Sequence, residues 1–176
     1  IAKEFNAEVP FLRPTKISGD EIEDFPVIHH ALNELEYRYQ KKIDAIVWLR
    51  PTSPLRPPNL IERAIEILES FPECSSVRSV IKSREHPYRQ WFLQGSIIEG
   101  VIQDSGVKES FNLPRQKLPD VYFQSGDIEV VRRETILKGS MSGDKVAPLI
   151  IQQDEMLDID HQDDLRSAEL KLFDEQ

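Results

Sequence analysis

The segment Trp48-Leu49-Arg50-Pro51-Thr52-Ser53-Pro54-Leu55-Arg56-Pro57 gathers side chains suited to an anionic ligand. The guanidinium groups of Arg50 and Arg56 match phosphate or carboxylate oxygens. Thr52 and Ser53 add hydroxyls that both donate and accept hydrogen bonds, and the prolines fix the path of the chain. A stiff connector with surface arginines has the same composition, and composition alone weighs the two readings equally. A second set is Leu157-Asp158-Ile159-Asp160. In extended chain, residues two apart share a face, so both carboxylates can converge on one ion, and Mg²⁺ takes such oxygen ligands. Asp160 also precedes a helical stretch and can serve as its N-cap, a role not open to Asp158. The third set is Asn112-Leu113-Pro114-Arg115-Gln116 with Tyr122-Phe123-Gln124-Ser125-Gly126. Arg115, Gln116 and Gln124 can grip the carboxylate and hydroxyls of a sugar acid. Taken alone, these residues read better as a loop and a strand with a glycine bulge.

Other candidates carry less. His29 and His30 fall in a helical stretch, where at least one is expected to pack on the core, and His86 and His161 are isolated. No metal-binding HExxH, glycine-rich dinucleotide loop or Walker loop is present. Cys74 has no evident base beside it and reads as a passive thiol. The acidic run Asp20 to Asp24 reads as a solvated helix start, with Asp20 at the border of a site.

The elements that must position these residues follow from periodicity. Ile1 to Phe5 reads as the end of an amphipathic helix, and Val9 to Leu12 as a short strand. Val27 to Gln40 is helical in pattern, with Ile28, Ala31, Leu32, Leu35 and Tyr39 on one face. Ile43 to Leu49 is a nearly continuous apolar run, expected of a strand buried on both sides. The following helix has Asn59 as its cap and Glu62 completing a capping box. Its expected buried stripe is Ile61, Ala64, Ile65 and Leu68. Strands are expected at Ser76 to Lys82, Val121 to Val131 and Lys145 to Ile151, a hairpin at Gln94-Gly95, and a closing helix from Gln162 to Phe173. Alternation of strands and helices predicts an α/β domain of three layers with a mostly parallel sheet. An irregular insertion interrupts it from about residue 83 to 119, and residues 1–176 read as one domain.

Composition limits the function classes. With 22 basic and 31 acidic residues the net charge is −9, opposite to the basic footprint of a nucleic-acid binder. No apolar run is long enough to span a membrane. A single cysteine and no secretory signal pattern fit a cytoplasmic protein.

In order and spacing, Val9-Pro10-Phe11-Leu12-Arg13-Pro14, Arg50 to Arg56, Pro114-Arg115-Gln116 and Asp158-Ile159-Asp160 resemble the acylneuraminate cytidylyltransferases. These are the CMP-N-acetylneuraminate synthetases, with the Kdo-activating enzymes more distant. The resemblance runs along nearly the whole chain, and the LxPTSPLR loop is its most specific part. It implies a Rossmann-like nucleotide-sugar transferase fold and a Mg²⁺-dependent attack of a nonulosonic acid's anomeric hydroxyl on the α-phosphate of CTP. By position, Arg13, Pro51, Thr52 and Ser53 would bind the nucleotide, and Asp158 and Asp160 the Mg²⁺. Asp158, Asp160 and Arg115 would be catalytic, while Arg50, Gln116 and Gln124 would contact the sugar. The insertion corresponds to the region through which such enzymes pair, so a homodimer is implied.

Departures from the pattern cluster on the sugar side. Arg50 replaces a usual glutamine, Ser125-Gly126 a usual Asn-Gly, and Glu129 stands near a usual tyrosine, with Phe123 where an arginine can occur. A legionaminic, pseudaminic or other carboxylated sugar is therefore as open as N-acetylneuraminate. The family's first strand, its phosphate-holding basic loop and roughly one further βαβ unit have no counterpart here. The chain is expected to be a fragment of a larger enzyme, inactive by itself. Two other readings stay open: a glycosyltransferase on a similar fold, and a non-catalytic binding module.

Overall fold

A computed structural model describes residues 1–103, 105–152 and 157–174. The chain forms helix α1 (Asp24–Tyr39), strand β1 (Ala45–Trp48), α2 (Leu60–Ser70) and β2 (Ser76–Lys82), then β3 (Trp91–Gln94) and β4 (Ile97–Gly100). It continues with β5 (Tyr122–Arg132), α3 (Arg133–Leu137), β6 (Val146–Ile150) and α4 (Gln162–Asp174). The principal sheet has the order β1-β5-β2-β6.

The sheet is mixed, which corrects the expectation of a mostly parallel one. β5 pairs antiparallel with both β1 and β2, and only β2 and β6 pair in parallel. The β1-α2-β2 crossover does run β1 and β2 in one direction, as their alternation implies. What periodicity does not reveal is that β5 returns from the insertion and lies between them. Because β1, β2 and β6 share a direction, the loops after all three open at one edge of the sheet. The start of β5 lies at that same edge, with Tyr122 opposite Lys82.

Alternation of side chains divides the core into two clusters. Leu60, Ala64 and Leu68 of α2 pack with Val77, Ile81, Ile128, Val130, Ala147, Leu149 and Ile151, flanked by Ala45 and Val47. On the other face Ile28 and Leu32 of α1 meet Val131 and Ile136, flanked by Phe25, Ile46, Trp48 and Met141. Helices thus cover both faces. β1 faces both clusters as its apolar run requires, yet its four residues are only half-buried, because it is an edge strand. Glu36 of α1 takes a fork of hydrogen bonds from Arg133, at 2.7 and 2.9 Å, and one from the Ile43 N–H. Arg133 and that N–H hold its carboxyl down at about 2.

Three local expectations change. Val9 to Leu12 forms no strand; Phe11 instead packs edge-on against the His30 ring, with centroids 5.4 Å apart. Residues Ala2–Phe5 form a 3₁₀ turn with nothing buried, rather than the end of a packed helix. Asn59 sits in the left-handed region (φ 56°) and makes no side-chain cap. With that start, α2 buries Leu60, Ala64 and Leu68, and leaves Ile61 and Ile65 more exposed.

The insertion carries the small β3-β4 sheet, with the expected hairpin turn at Gly95 (φ 63°). Its base is fastened by His86, which accepts the Tyr88 N–H on Nδ1 and so must donate from Nε2 to the Pro119 carbonyl, each at 3.1 Å. His86 is therefore a structural staple, a role its isolation in the sequence does not suggest.

Candidate active site

The edge where β1, β2 and β6 end collects most of the chemistry-bearing residues. A bulge in β5 shapes it. Arg78 faces Glu129 and Val80 faces Gln124, so β2 advances two residues while β5 advances five. Gly126, at φ 81°, supplies the left-handed turn this requires. Ser79, opposite the bulge, donates its hydroxyl to the Ile128 carbonyl (3.2 Å) and accepts the Ile128 N–H (3.1 Å). One side chain thereby replaces the ladder bonds that the bulge removes.

Beyond the bulge, Glu129 is 1% exposed and held by two arginines. Arg50 Nη1 donates to its Oε1 at 2.8 Å, and Arg78 Nη2 to its Oε2 at 2.7 Å. Arg50 also reaches Asp24 at 2.6 Å, and Arg78 reaches Gln124 at 2.7 Å and Ser142 at 3.0 Å. Burial works against the Arg50 charge, but Glu129 and Asp24 more than offset it and raise its pKa. Asp24, Arg50, Arg78 and Glu129 sum to zero charge. Two of the sequence's departures on the sugar side, Arg50 and Glu129, are thus each other's partners.

The loop after β1 and the segment after β6 are joined by a bond from the Ile159 N–H to the Thr52 carbonyl, 2.8 Å. Arg56 crosses to β5, donating to the Asp127 carbonyl at 2.8 Å and to the Arg50 carbonyl. Burial lowers its pKa. Pro51 is exposed, Thr52 half-buried and Ser53 1% exposed. Asp158 is half-buried, with its Oδ1 out of water and unpartnered. Asp160 is exposed, and Asp164 accepts the N–H groups of Asp160 and His161 at 3.1 and 2.8 Å. The start of α4 is therefore held by Asp164.

Arg115 and Gln116 lie in a cavity of about 480 Å³ beyond the end of β2, lined also by Lys82, Arg84, His86 and Arg89. Neither Asp158 nor Asp160 lines it. Lys82 is paired with Asp120 at 2.7 Å, which raises its pKa. Gln124 belongs to the Glu129 network. Arg13 is exposed in the N-terminal loop, where its carbonyl accepts the Ser18 hydroxyl. The structure thus joins Thr52, Ser53 and Asp158, places Arg50 with Gln124, and sets Arg115 and Gln116 in a cavity of their own.

Sequence reasoning missed Arg78 and Asp127, took Ser125 only as part of a strand with a glycine bulge, and left Asp24 as a solvated helix start. A signal existed for two of them. Arg78 interrupts the apolar run of β2, and Asp127 and Glu129 alternate with Ile128 and Val130 in the second half of β5. A charge at such a position needs a partner, and that need could have been read as a site.

No family model matches the chain. It is 25% identical over 166 residues to the CMP-N,N'-diacetyllegionaminic acid synthase of Legionella pneumophila subsp. pneumophila, strain Philadelphia 1. The match covers 91% of this chain and 67% of that protein. Among the described residues, no helix is long and apolar enough to cross a membrane. Over most of its length, then, the chain resembles a CMP-nonulosonic acid synthase at low identity.

Proposed function

We propose that this chain is the catalytic part of a cytidylyltransferase that activates a nonulosonic acid. The anomeric hydroxyl of the sugar attacks the α-phosphate of CTP, giving a CMP-sugar and releasing pyrophosphate. The observation that carries this reading is the 2.8 Å bond from Ile159 to Thr52, which fastens the acidic segment to the Pro-Thr-Ser loop at one sheet edge. Ligands of open α/β sheets settle at such an edge, and the activity of the Legionella relative suggests the reaction class.

In this reading Pro51, Thr52 and Ser53 bind the nucleotide, with Arg13 approaching from the N-terminal loop. Asp158 and Asp160 hold Mg²⁺. The donor set fits that ion, since Asp158 keeps a buried carboxylate oxygen with no protein partner. Bound there, Mg²⁺ neutralises phosphate charge and favours in-line displacement. Arg115 and Gln116, in their basic cavity, contact the acid or the departing phosphates in this reading. Arg50 is an orienting residue for the sugar, its guanidinium already fixed by Glu129 and Asp24, and Gln124 is fixed likewise by Arg78.

Pairing with a second copy through the insertion belongs to the same reading. Phe92, Leu93, Ile97 and Ile98 stand exposed along both strands of the β3-β4 hairpin. A bare two-stranded hairpin is marginally stable in water, and a partner that covers it removes the cost.

The test is CTP-dependent pyrophosphate release by the protein that carries this chain, with Mg²⁺ and a panel of nonulosonic acids. Release with one acid, abolished by EDTA, is the expected result and names the acceptor. Silence across the panel from folded protein overturns the reading in favour of a binding module.

A further inference from the structure

At the carboxyl edge, five buried oxygens from four residues lack hydrogen-bond partners. They are Ser53 Oγ, Ser125 Oγ, both carboxylate oxygens of Asp127, and Asp158 Oδ1. Ser53, Ser125 and Asp127 are 1%, 2% and 0% exposed. Native interiors leave few such groups, and each asks for an explanation.

The four residues sit on three segments that hydrogen bonds tie together. Ile159, beside Asp158, donates to Thr52, beside Ser53. Arg56, three residues after Ser53, donates to the carbonyl of Asp127. Asp127 feels the charge of Asp158, and Ser125 is its near neighbour.

The donors are all oxygens, with two carboxylates and two hydroxyls among them. Arg56 brings one positive charge near Asp127 but forms no ion pair with either carboxylate, since its Nε and Nη2 donate to the backbone carbonyls of Asp127 and Arg50, and one charge does not balance two. A water molecule can satisfy hydrogen bonds here but not the charge. A hard divalent cation satisfies both, since such ions take carboxylate, hydroxyl and water oxygens together.

We propose that Asp127 is a metal-ligating residue of this edge, holding a divalent cation together with Asp158 while Ser53 and Ser125 complete an oxygen shell directly or through water. The proposal deepens the cytidylyltransferase reading, on which it rests for the identity of the ion as Mg²⁺. It adds to the Asp158-Asp160 segment a carboxylate from the middle of the sheet, placed by the β5 bulge. The bulge thereby acquires a reason: it turns the segment around Asp127 toward the loops rather than into the ladder.

Mn²⁺ is the probe, titrated into metal-free protein and read as free Mn²⁺ by electron paramagnetic resonance, alone and with CTP. Asp127→Asn and Asp158→Asn are each expected to weaken Mn²⁺ binding at least tenfold, and Asp120→Asn, at an exposed carboxylate, to leave it unchanged. Ser125→Ala, which removes one neutral donor, is expected to weaken it about threefold and serves if Asp127→Asn does not fold. Wild-type affinity in folded Asp127→Asn, or no Mn²⁺ uptake by the unaltered protein in either condition, overturns the proposal. Mn²⁺ binding that needs Asp127 in a protein indifferent to CTP would uphold this inference while the cytidylyltransferase reading falls.

Discussion

Glu129 and Asp127 are acidic residues two apart on one strand, both almost entirely out of water, and they meet opposite circumstances. Glu129 has Arg50 and Arg78 on its two oxygens, and that network is neutral and complete within the chain. Asp127 makes no well-formed hydrogen bond or ion pair on either oxygen, with only the Ser125 hydroxyl, its own N–H and the Arg56 charge close by, and it has another carboxylate nearby. Burial of a charge is costly unless it is paired. The first cluster therefore reads as a finished structural element that fixes side chains, and the second as one completed by something the polypeptide does not supply. Perturbed and unpaired groups gather at functional sites for this reason.

The largest effect is expected on the finished side. Glu129→Leu strands two half-buried guanidiniums and should cost about 3 kcal/mol in urea unfolding. Adding Arg50→Met and Arg78→Met should recover most of that loss, because the stranded charges go with the partner. If the triple variant is no better than the single, the network is not a self-contained unit.

The unfinished side should respond with the opposite sign. In metal-free buffer at neutral pH, Asp127→Asn removes a buried, repelled charge and should raise stability by about 1 kcal/mol. A loss comparable to that of Glu129→Leu would erase the contrast between the two residues.

The smallest effect sharpens the comparison with a paired carboxylate nearer the surface. Glu36 titrates at about 2 in the folded protein against 4.5 ordinarily, so the folded state binds fewer protons in that window. Its stabilisation is complete above pH 4.5 and is lost as pH falls toward 2. Glu36→Gln should flatten the dependence of the urea midpoint on pH between those values and leave its slope at neutral pH unchanged. An unaltered acid slope would show that the Arg133 pairing contributes nothing.

Much of the element list was legible because it rests on local rules. Ser76 to Lys82 forms β2 with the expected bounds, the hairpin turns at Gly95, and the closing helix starts at Gln162. The Pro-Thr-Ser loop was legible as a candidate site because proline, hydroxyl and guanidinium groups crowd a strand end. The α2 stripe was misjudged by one residue at its start, since the left-handed backbone at Asn59 is set by how the loop arrives. Arg50 was legible as a charge in a candidate loop but not as a paired one, because its partners are 26 and 79 residues away.

The sequence by itself determined the periodic elements, the acidic balance, the candidate loop and the likeness to the CMP-nonulosonic acid synthetases. These follow from neighbours along the chain and from side-chain chemistry. Only the tertiary structure decided that β5 lies antiparallel between β1 and β2. That placement sets Glu129 between two arginines and leaves Asp127 near Asp158 without a partner. Strand order and register depend on which distant segments bury each other's faces, and no local pattern encodes that choice.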